Sequence, residues 1–282
     1  MTSLHELDPA IDRWFLEDIG EGDHTTFSTI PGDASGSAKL LVKEKGILAG
    51  LAVARQIFQR FDRKMQFIPL MEDACTITPG DLAFRVSGRV HTILQCERLV
   101  LNVMQRMSGI ATTTNEYVRL LEGTDSKILD TRKTTPGMRF LEKEAVRLGG
   151  GVNHRFGLYD MILIKDNHID FAGGIAQAIS GTEAYLEKEN LKLDIVVETR
   201  SLEDIEEVLS MEGIRRILLD NFSVELTREA VKLIDHRVET ESSGGITKET
   251  IRSYAECGVD YISVGALTHQ INSLDLSLKA DF

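Results

Sequence analysis

Between residues 127 and 139 the sequence reads KILDTRKTTPGMR, an apolar run that stops at Asp130 and is followed at once by Arg132 and Lys133. Arginine presents a planar fork of donors to carboxylate or phosphate, and lysine a compact point charge. The pair is therefore suited to an anion. The pattern of a short apolar run closed by a chemically useful residue recurs. Lys165 follows MILI, Glu198 follows IVV, Asp220 follows ILL, Ser243 with Gly244 and Gly245 closes VETES, and Gly265 follows ISV; the loop GGGVNHRFG adds His154 and Arg155. Taken one at a time, these have plain structural readings: a solvated turn, a lysine whose stem lies on the core, ion pairs at a sheet end, glycines that shape a bend. Taken together they do not. Like charges about 4 Å apart repel by roughly 4 kcal/mol at an effective dielectric near 20, so cations converging on one place call for an anionic ligand, and two carboxylates do not neutralise them all. Glu198 and Asp220 could pair with those cations or hold magnesium and ribose hydroxyls. The Ser-Gly-Gly turn ahead of a helix offers bare backbone N–H groups and a favourable dipole to a phosphate. Gly265, about twenty residues further on, falls where the last strands of barrels commonly complete such a site.

These residues need elements to bring them together. Six strand-like runs (KILD, MILIKD, DIVVET, RILLDN, RVETES and YISVGA) are spaced by roughly twenty to thirty-five residues, room for one helix and two loops in a βα unit. Pro136 suits a first helical position and Gly149 a helix end, while Thr247 could cap the last full helix and Gly258 end it. In a parallel barrel every strand end opens into one mouth, whereas a doubly wound sheet concentrates its chemistry at a switch point. Polar residues at nearly every strand end favour the barrel, an open or incomplete one because eight units are not evident.

Upstream, residues 1 to about 95 mix a helix over 8–16 with strand-like stretches at 36–50, 75–88 and 89–94, an α+β piece. From Cys96 the apolar positions Leu99, Val100, Val103, Met104 and Met107 mark one face of a long helix, or of two meeting near Gly109. Arg98, Asn102, Gln105 and Arg106 fall opposite, towards solvent or another subunit.

Composition sets the outer bounds. The 282 residues are 42% hydrophobic and carry a formal net charge of -12, which argues against nucleic acid and anionic membranes as partners. Cys75, Cys96 and Cys257 lie far apart and show no zinc-like spacing. The acidic start does not read as a signal peptide and no apolar run reaches membrane-spanning length, so the expected location is cytoplasmic.

The blocks LDTRKTTPGMR, GGGVNHRFGLYDMILIKDNHI, VVETRSLEDIEEVL, RILLDNF, SSGGIT and YISVGALTH together resemble quinolinate phosphoribosyltransferase, the nicotinate-nucleotide pyrophosphorylase (carboxylating) family, as do LEDIGEGDHTT and the closing DLSLK. The resemblance implies an α/β protein: an N-terminal α+β sandwich over 1–109, an open α/β barrel over 110–269, and a segment near 270–282 that can return to the sandwich. It implies phosphoribosyl transfer from phosphoribosyl pyrophosphate to quinolinate with decarboxylation, giving nicotinate mononucleotide, pyrophosphate and carbon dioxide in NAD biosynthesis. Magnesium accompanies the diphosphate and no covalent cofactor is required. By motif, Arg132, Lys133, His154, Arg155 and Lys165 would surround the quinolinate carboxylates, with Arg98 reaching in from the partner of a homodimer; assembly beyond the dimer is left open. Glu198 and Asp220 would face the ribose and the metal-bound diphosphate, touching the metal indirectly, and Ser243, Gly244, Gly245 and Gly265 would hold the 5'-phosphate. Lys133, Lys165, Glu198 and Asp220 form the expected catalytic set. One departure is Val196, which stands where the family usually has an additional acid. Two rival readings are a Schiff-base aldolase with Lys165 as nucleophile, and a non-catalytic barrel that senses phosphoribosyl ligands or serves metal uptake.

Overall fold

The computed structural model describes residues 7–281; the first six positions of the expected sandwich, with part of the acidic start, lie outside the described residues. Helices α1 (Asp8–Ile19) and α2 (His24–Thr29) lead into β1 (Ser35–Val42), β2 (Gly46–Ile47), α3 (Leu51–Phe61), β3 (Gln66–Pro69), β4 (Thr76–Ile77), β5 (Leu82–Arg89) and the 31-residue helix α4 (Val90–Leu120). Strands and helices then alternate as β6 (Lys127–Leu129), α5 (Arg139–Leu148), β7 (Ile162–Ile164), α6 (Asp166–Ala172), α7 (Ile175–Glu189), β8 (Ile195–Thr199), α8 (Leu202–Leu209), β9 (Ile214–Asp220), α9 (Val224–Ile234), β10 (Glu239–Ser243), α10 (Ile251–Ala255), β11 (Tyr261–Ser263), α11 (Ala266–His269) and β12 (Leu276–Ala280). Two compact units result. One comprises Met1–Asn115, Thr134–Gly150 and Thr268–Phe282; the other comprises Glu116–Lys133 and Gly151–Leu267.

The first unit is built on an antiparallel sheet in the order β12-β1-β5-β3. The C-terminal strand β12 pairs with β1 from Ala38↔Ala280 to Val42↔Leu276. Helix α3 buries Val53, Ala54, Ile57 and Phe58, and Phe58 meets Phe84 edge-on at 6.2 Å between ring centroids. Several expectations fail in this unit, while the long helix itself stands. The stretch 89–94 alternates like a strand, yet β5 ends at Arg89 and α4 starts at Val90, because Ile93 and Cys96 extend the three- and four-residue spacing of the buried stripe by a further turn. Gly109 does not divide α4. A β-carbon there would come within 2.2 Å of the Asn272 carbonyl oxygen, so the glycine admits a crossing backbone in mid-helix. Arg98 and Asn102 are exposed as expected, but Gln105 donates to the Leu276 carbonyl at 3.0 Å, and Arg106 pairs with the buried Glu142 at 2.6 Å. Both are occupied within their own chain. Pro136 lies in the turn ahead of α5, which begins at Arg139.

The second unit holds a six-stranded parallel sheet in the order β6-β11-β10-β9-β8-β7. Neighbours are therefore sequential, and the last strand returns to the first: β11 pairs with β6 (Ile262↔Ile128). Beyond β6 the sheet gains one bridge, Leu129↔Val152, and no pairing joins this edge to β7 among the described residues. A barrel's strand sequence with one seam left unpaired is the open α/β barrel. Strands β8 and β9 are almost wholly buried, as a parallel sheet covered by helices requires. Local punctuation is regular: Ser201 caps α8 by accepting from the Asp204 N–H, and Ser223 caps α9 by accepting from the Leu226 N–H. Thr247 accepts from Ile251 N–H at 2.9 Å through its backbone, but α10 itself starts only at Ile251 and ends at Ala255, ahead of Gly258.

Candidate functional site

Because the strands run parallel, their C-terminal ends share one edge of the sheet, and in the second unit this edge carries nearly all the residues singled out above. Arg132 and Lys133 follow β6, Lys165 follows β7, Glu198 lies in the last turn of pleat in β8, Asp220 ends β9, Ser243 ends β10, and Gly265 comes two residues after β11. Arg98 stands exposed on α4 in the first unit.

The loop that carries Arg155 is held by buried carboxylates. Asp130, fully buried, accepts the His154 N–H at 2.8 Å, and so ties the 151–155 loop to the end of β6. The His154 ring is turned inward. Its Nε2 faces Glu241 Oε2 at 3.5 Å, and its Nδ1 accepts the Arg155 N–H at 2.6 Å, which assigns the ring proton to Nε2. Glu241 also receives Arg216 at 2.9 Å, and the Arg216 guanidinium lies 3.9 Å above the Tyr261 ring. Burial alone would raise the Glu241 carboxyl; its contacts with His154 and Arg216 overcome that and hold it below the usual carboxylate range. The consequence falls on Arg155. Its side chain is buried to 8% exposure, with one N–H donated to the Met161 carbonyl at 3.2 Å. Burial first, and then repulsion from Arg132, push it below the ordinary arginine value against the partial relief of Asp160. Two arginines that repel each other at a strand end are a site prepared for negative charge.

The acids sit on the next two strands. Glu198 is buried and accepts from Lys165 Nζ at 3.2 Å and from the Asp166 N–H at 3.4 Å. Lys165 Nζ thus spans β7 and β8 while its side chain keeps 48% exposure. Asp220 is raised, first by burial and then by repulsion from Glu198, with Lys165 and the Asn221 amide opposing. On the adjoining strand Ser243 is the register partner of Asp220. Gly244 and Gly245 follow with φ of +99° and +60°, a left-handed pair that only glycine adopts without strain. Among the described residues no cluster of three or more His, Cys, Asp or Glu side chains is placed to hold a metal ion.

The strand-end residue types were legible in the sequence; their supports were not. Asp130, Arg216, Glu241 and Asn221 act across 20 or more positions in the chain, and only the acid Glu241 inside the strand run VETES offered a signal.

The second unit is an open parallel barrel with arginines, acids and a glycine turn gathered along one strand-end edge, the layout of an α/β-barrel enzyme. Comparison with known proteins is specific. Residues 23–108 match the model of the quinolinate phosphoribosyl transferase N-terminal domain, and residues 110–279 that of its C-terminal domain. The chain belongs to the quinolinate phosphoribosyltransferase family. It is 45% identical to the chloroplastic nicotinate-nucleotide pyrophosphorylase [carboxylating] of Arabidopsis thaliana, over 98% of this chain and 83% of that protein. It is 43% identical to a probable nicotinate-nucleotide pyrophosphorylase [carboxylating] of Bacillus subtilis, over 97% and 93% respectively. The crystal structure of NadC from Streptococcus pyogenes superposes with a TM-score of 0.93 at 39% identity, covering 99% of this chain and 97% of that one.

Proposed function

We infer that this chain carries out the reaction of its family, transfer of the phosphoribosyl group of phosphoribosyl pyrophosphate to quinolinate with loss of carbon dioxide, yielding nicotinate mononucleotide in NAD biosynthesis. The observation that carries the reading is the pairing of a buried Arg155 with a repelling Arg132 beside the Lys165–Glu198–Asp220 row. A pyridine with two adjacent carboxylates answers the cations; a sugar that becomes positive in the transition state answers the acids.

Arg132, Lys133, Arg155 and Lys165 orient quinolinate by its carboxylates, with His154 fixing the Arg155 backbone from the barrel interior. Glu198 and Asp220 stabilise positive charge on the ribose as pyrophosphate departs and the ring nitrogen attacks. Ser243, Gly244, Gly245 and Gly265 seat the 5'-phosphate. The new pyridinium then loses its 2-carboxylate, since the positive ring nitrogen stabilises the electron pair left on carbon. Glu198 and Asp220, oxygen donors on the neighbouring strands β8 and β9, suit a hard divalent cation that they would reach indirectly, through substrate or water. Glu198 and Asp220 would hold magnesium, which supplies charge neutralisation to the leaving group. The complete enzyme is a cytoplasmic homodimer with Arg98 contributed by the partner subunit.

The aldolase alternative is disfavoured by Lys165. A Schiff-base lysine is desolvated or set beside another cation, whereas this one is half exposed and paired with a carboxylate. The decisive experiment measures carbon dioxide released from quinolinate. Release that requires phosphoribosyl pyrophosphate and magnesium is expected; no release under those conditions overturns the reading.

A further inference from the structure

Asn221 touches both the acid of β9 and the glycine turn of β10, and no step above employs it. It directly follows β9 with φ +56°, in the left-handed region that asparagine tolerates better than most residues. Its N–H donates to the Ser243 carbonyl at 2.9 Å, which carries the β9–β10 pairing one residue past the strand end. Its side-chain amide donates to Asp220 Oδ2 at 2.7 Å. Its Oδ1 lies so close to Gly244 that a β-carbon there would approach it to 2.2 Å. Backbone N–H and amide nitrogen are thus bonded to the two strands, and the amide oxygen lies against the glycine turn. The residue is nonetheless exposed at the strand-end edge, so burial of apolar surface is not what holds it there.

We propose that Asn221 is a positioning residue that fixes the separation between the Asp220 carboxylate and the Ser243–Gly244–Gly245 turn, and that it thereby serves phosphoribosyl pyrophosphate and not quinolinate. The inference rests on the function given above, in which Asp220 faces the ribose and the turn seats the 5'-phosphate of one and the same molecule. A ligand gripped at two points is sensitive to the distance between them, since a misplacement of about 1 Å costs as much as a hundredfold in rate. Arg155, by contrast, is carried on the loop that Asp130 and the His154–Glu241 pair hold at the end of β6, and the contacts of Asn221 run to Asp220, Ser243 and Gly244.

Two variants test this. Asn221→Gly keeps the left-handed backbone and removes the amide; Asn221→Asp keeps the shape and sets a second carboxylate against Asp220. For Asn221→Gly the KM for phosphoribosyl pyrophosphate rises about tenfold, the usual cost of a lost hydrogen bond to a charged group, while the KM for quinolinate changes less than threefold. Asn221→Asp is expected to lose more on the same substrate. An unchanged KM for phosphoribosyl pyrophosphate in both, or equal rises for both substrates, overturns the proposal. Titration calorimetry with ribose 5-phosphate on wild type and on whichever variant is folded reads the same effect without turnover. There a drop of about tenfold in affinity supports the role and equal affinity removes it, whereas a wild type that binds the sugar phosphate but releases no carbon dioxide sinks only the proposed reaction.

Discussion

At the scale of single residues the strand-end edge is a set of like charges held close together. Arg155 is buried beside Arg132, and on the proposed function both hydrogen-bonding and Coulomb energy are gained when a dicarboxylate binds there. Arg132→Ala should therefore weaken quinolinate binding by about 1.5–3 kcal/mol, the range for a charge-assisted contact, with little change in thermal stability. Steady-state kinetics indistinguishable from wild type would remove Arg132 from the site. Asp220 gives a prediction of opposite character. Its carboxyl is raised by burial and by Glu198, so in the folded protein it binds a proton more readily than in the unfolded chain. Stability from that proton is present at low pH and is lost as pH rises through the folded value. Asp220→Asn should consequently raise the Tm of the ligand-free protein at pH 7, with the gain shrinking as pH falls into the ordinary carboxylate range, and should abolish turnover. A Tm at pH 7 that is unchanged or lower would contradict the assigned repulsion. Asp220 could be read from the sequence because it closes an apolar run, Arg132 because it follows one, and Arg155 because it sits in a glycine-rich loop beside His154. Their burial and partners could not, since Asp130 and His154 are 24 positions apart and meet only when the sheet forms.

At the scale of elements, the six strands of the parallel sheet were legible for a physical reason. A strand covered on both faces reads as a near-continuous apolar run, as in β7 and the start of β8, and a polar residue beyond it marks where the cover ends; β10, Glu239–Ser243, is polar throughout and is placed by its spacing in the alternating series. Helix α4 shows where that logic stops. Alternation at 89–94 imitates a strand, and only the buried positions Ile93, Cys96, Val100, Val103 and Met107 reveal that the helix begins at Val90. Gly109 likewise imitates a break because local propensity cannot register a crossing backbone. The same fact reverses the usual sign of a substitution. Glycine to alanine inside a helix normally stabilises by roughly 1 kcal/mol, but at position 109 the new methyl would collide with the carbonyl of Asn272 and the Cα of Ser273. Gly109→Ala should destabilise by about 1–3 kcal/mol, the usual cost of overpacking. Urea denaturation provides the measurement, and a higher midpoint at constant m-value would show that no such contact exists.

At the scale of the whole molecule, the sequence divides in one way by family model and in another by compactness. The two domain models meet between residues 108 and 110, inside α4, while the segment Thr134–Gly150 belongs by contact to the same unit as β1 and β12. Such a division is invisible to a reading along the chain, which sees α5 as one more helix of the alternating series; contacts with α4 such as the Arg106–Glu142 pair, 36 positions apart, and the close approach of Gly149 to Ala111 lie behind it. The expected groups are split accordingly, with Arg98 in one unit and Lys165 in the other. If a partner subunit's α4 supplies the arginine, each active site of a dimer needs Arg98 from one chain and Lys165 from its neighbour. Arg98→Ala and Lys165→Ala proteins should each be inactive alone. After subunit exchange, half of the dimers are hybrids and each hybrid has one intact site and one doubly damaged site, so the mixture should recover about a quarter of wild-type activity. Exchange verified by mass spectrometry without any recovery would place Arg98 and Lys165 in the same chain's site or put Arg98 outside it altogether, because a two-fold arrangement with shared sites leaves no other way to separate the two defects.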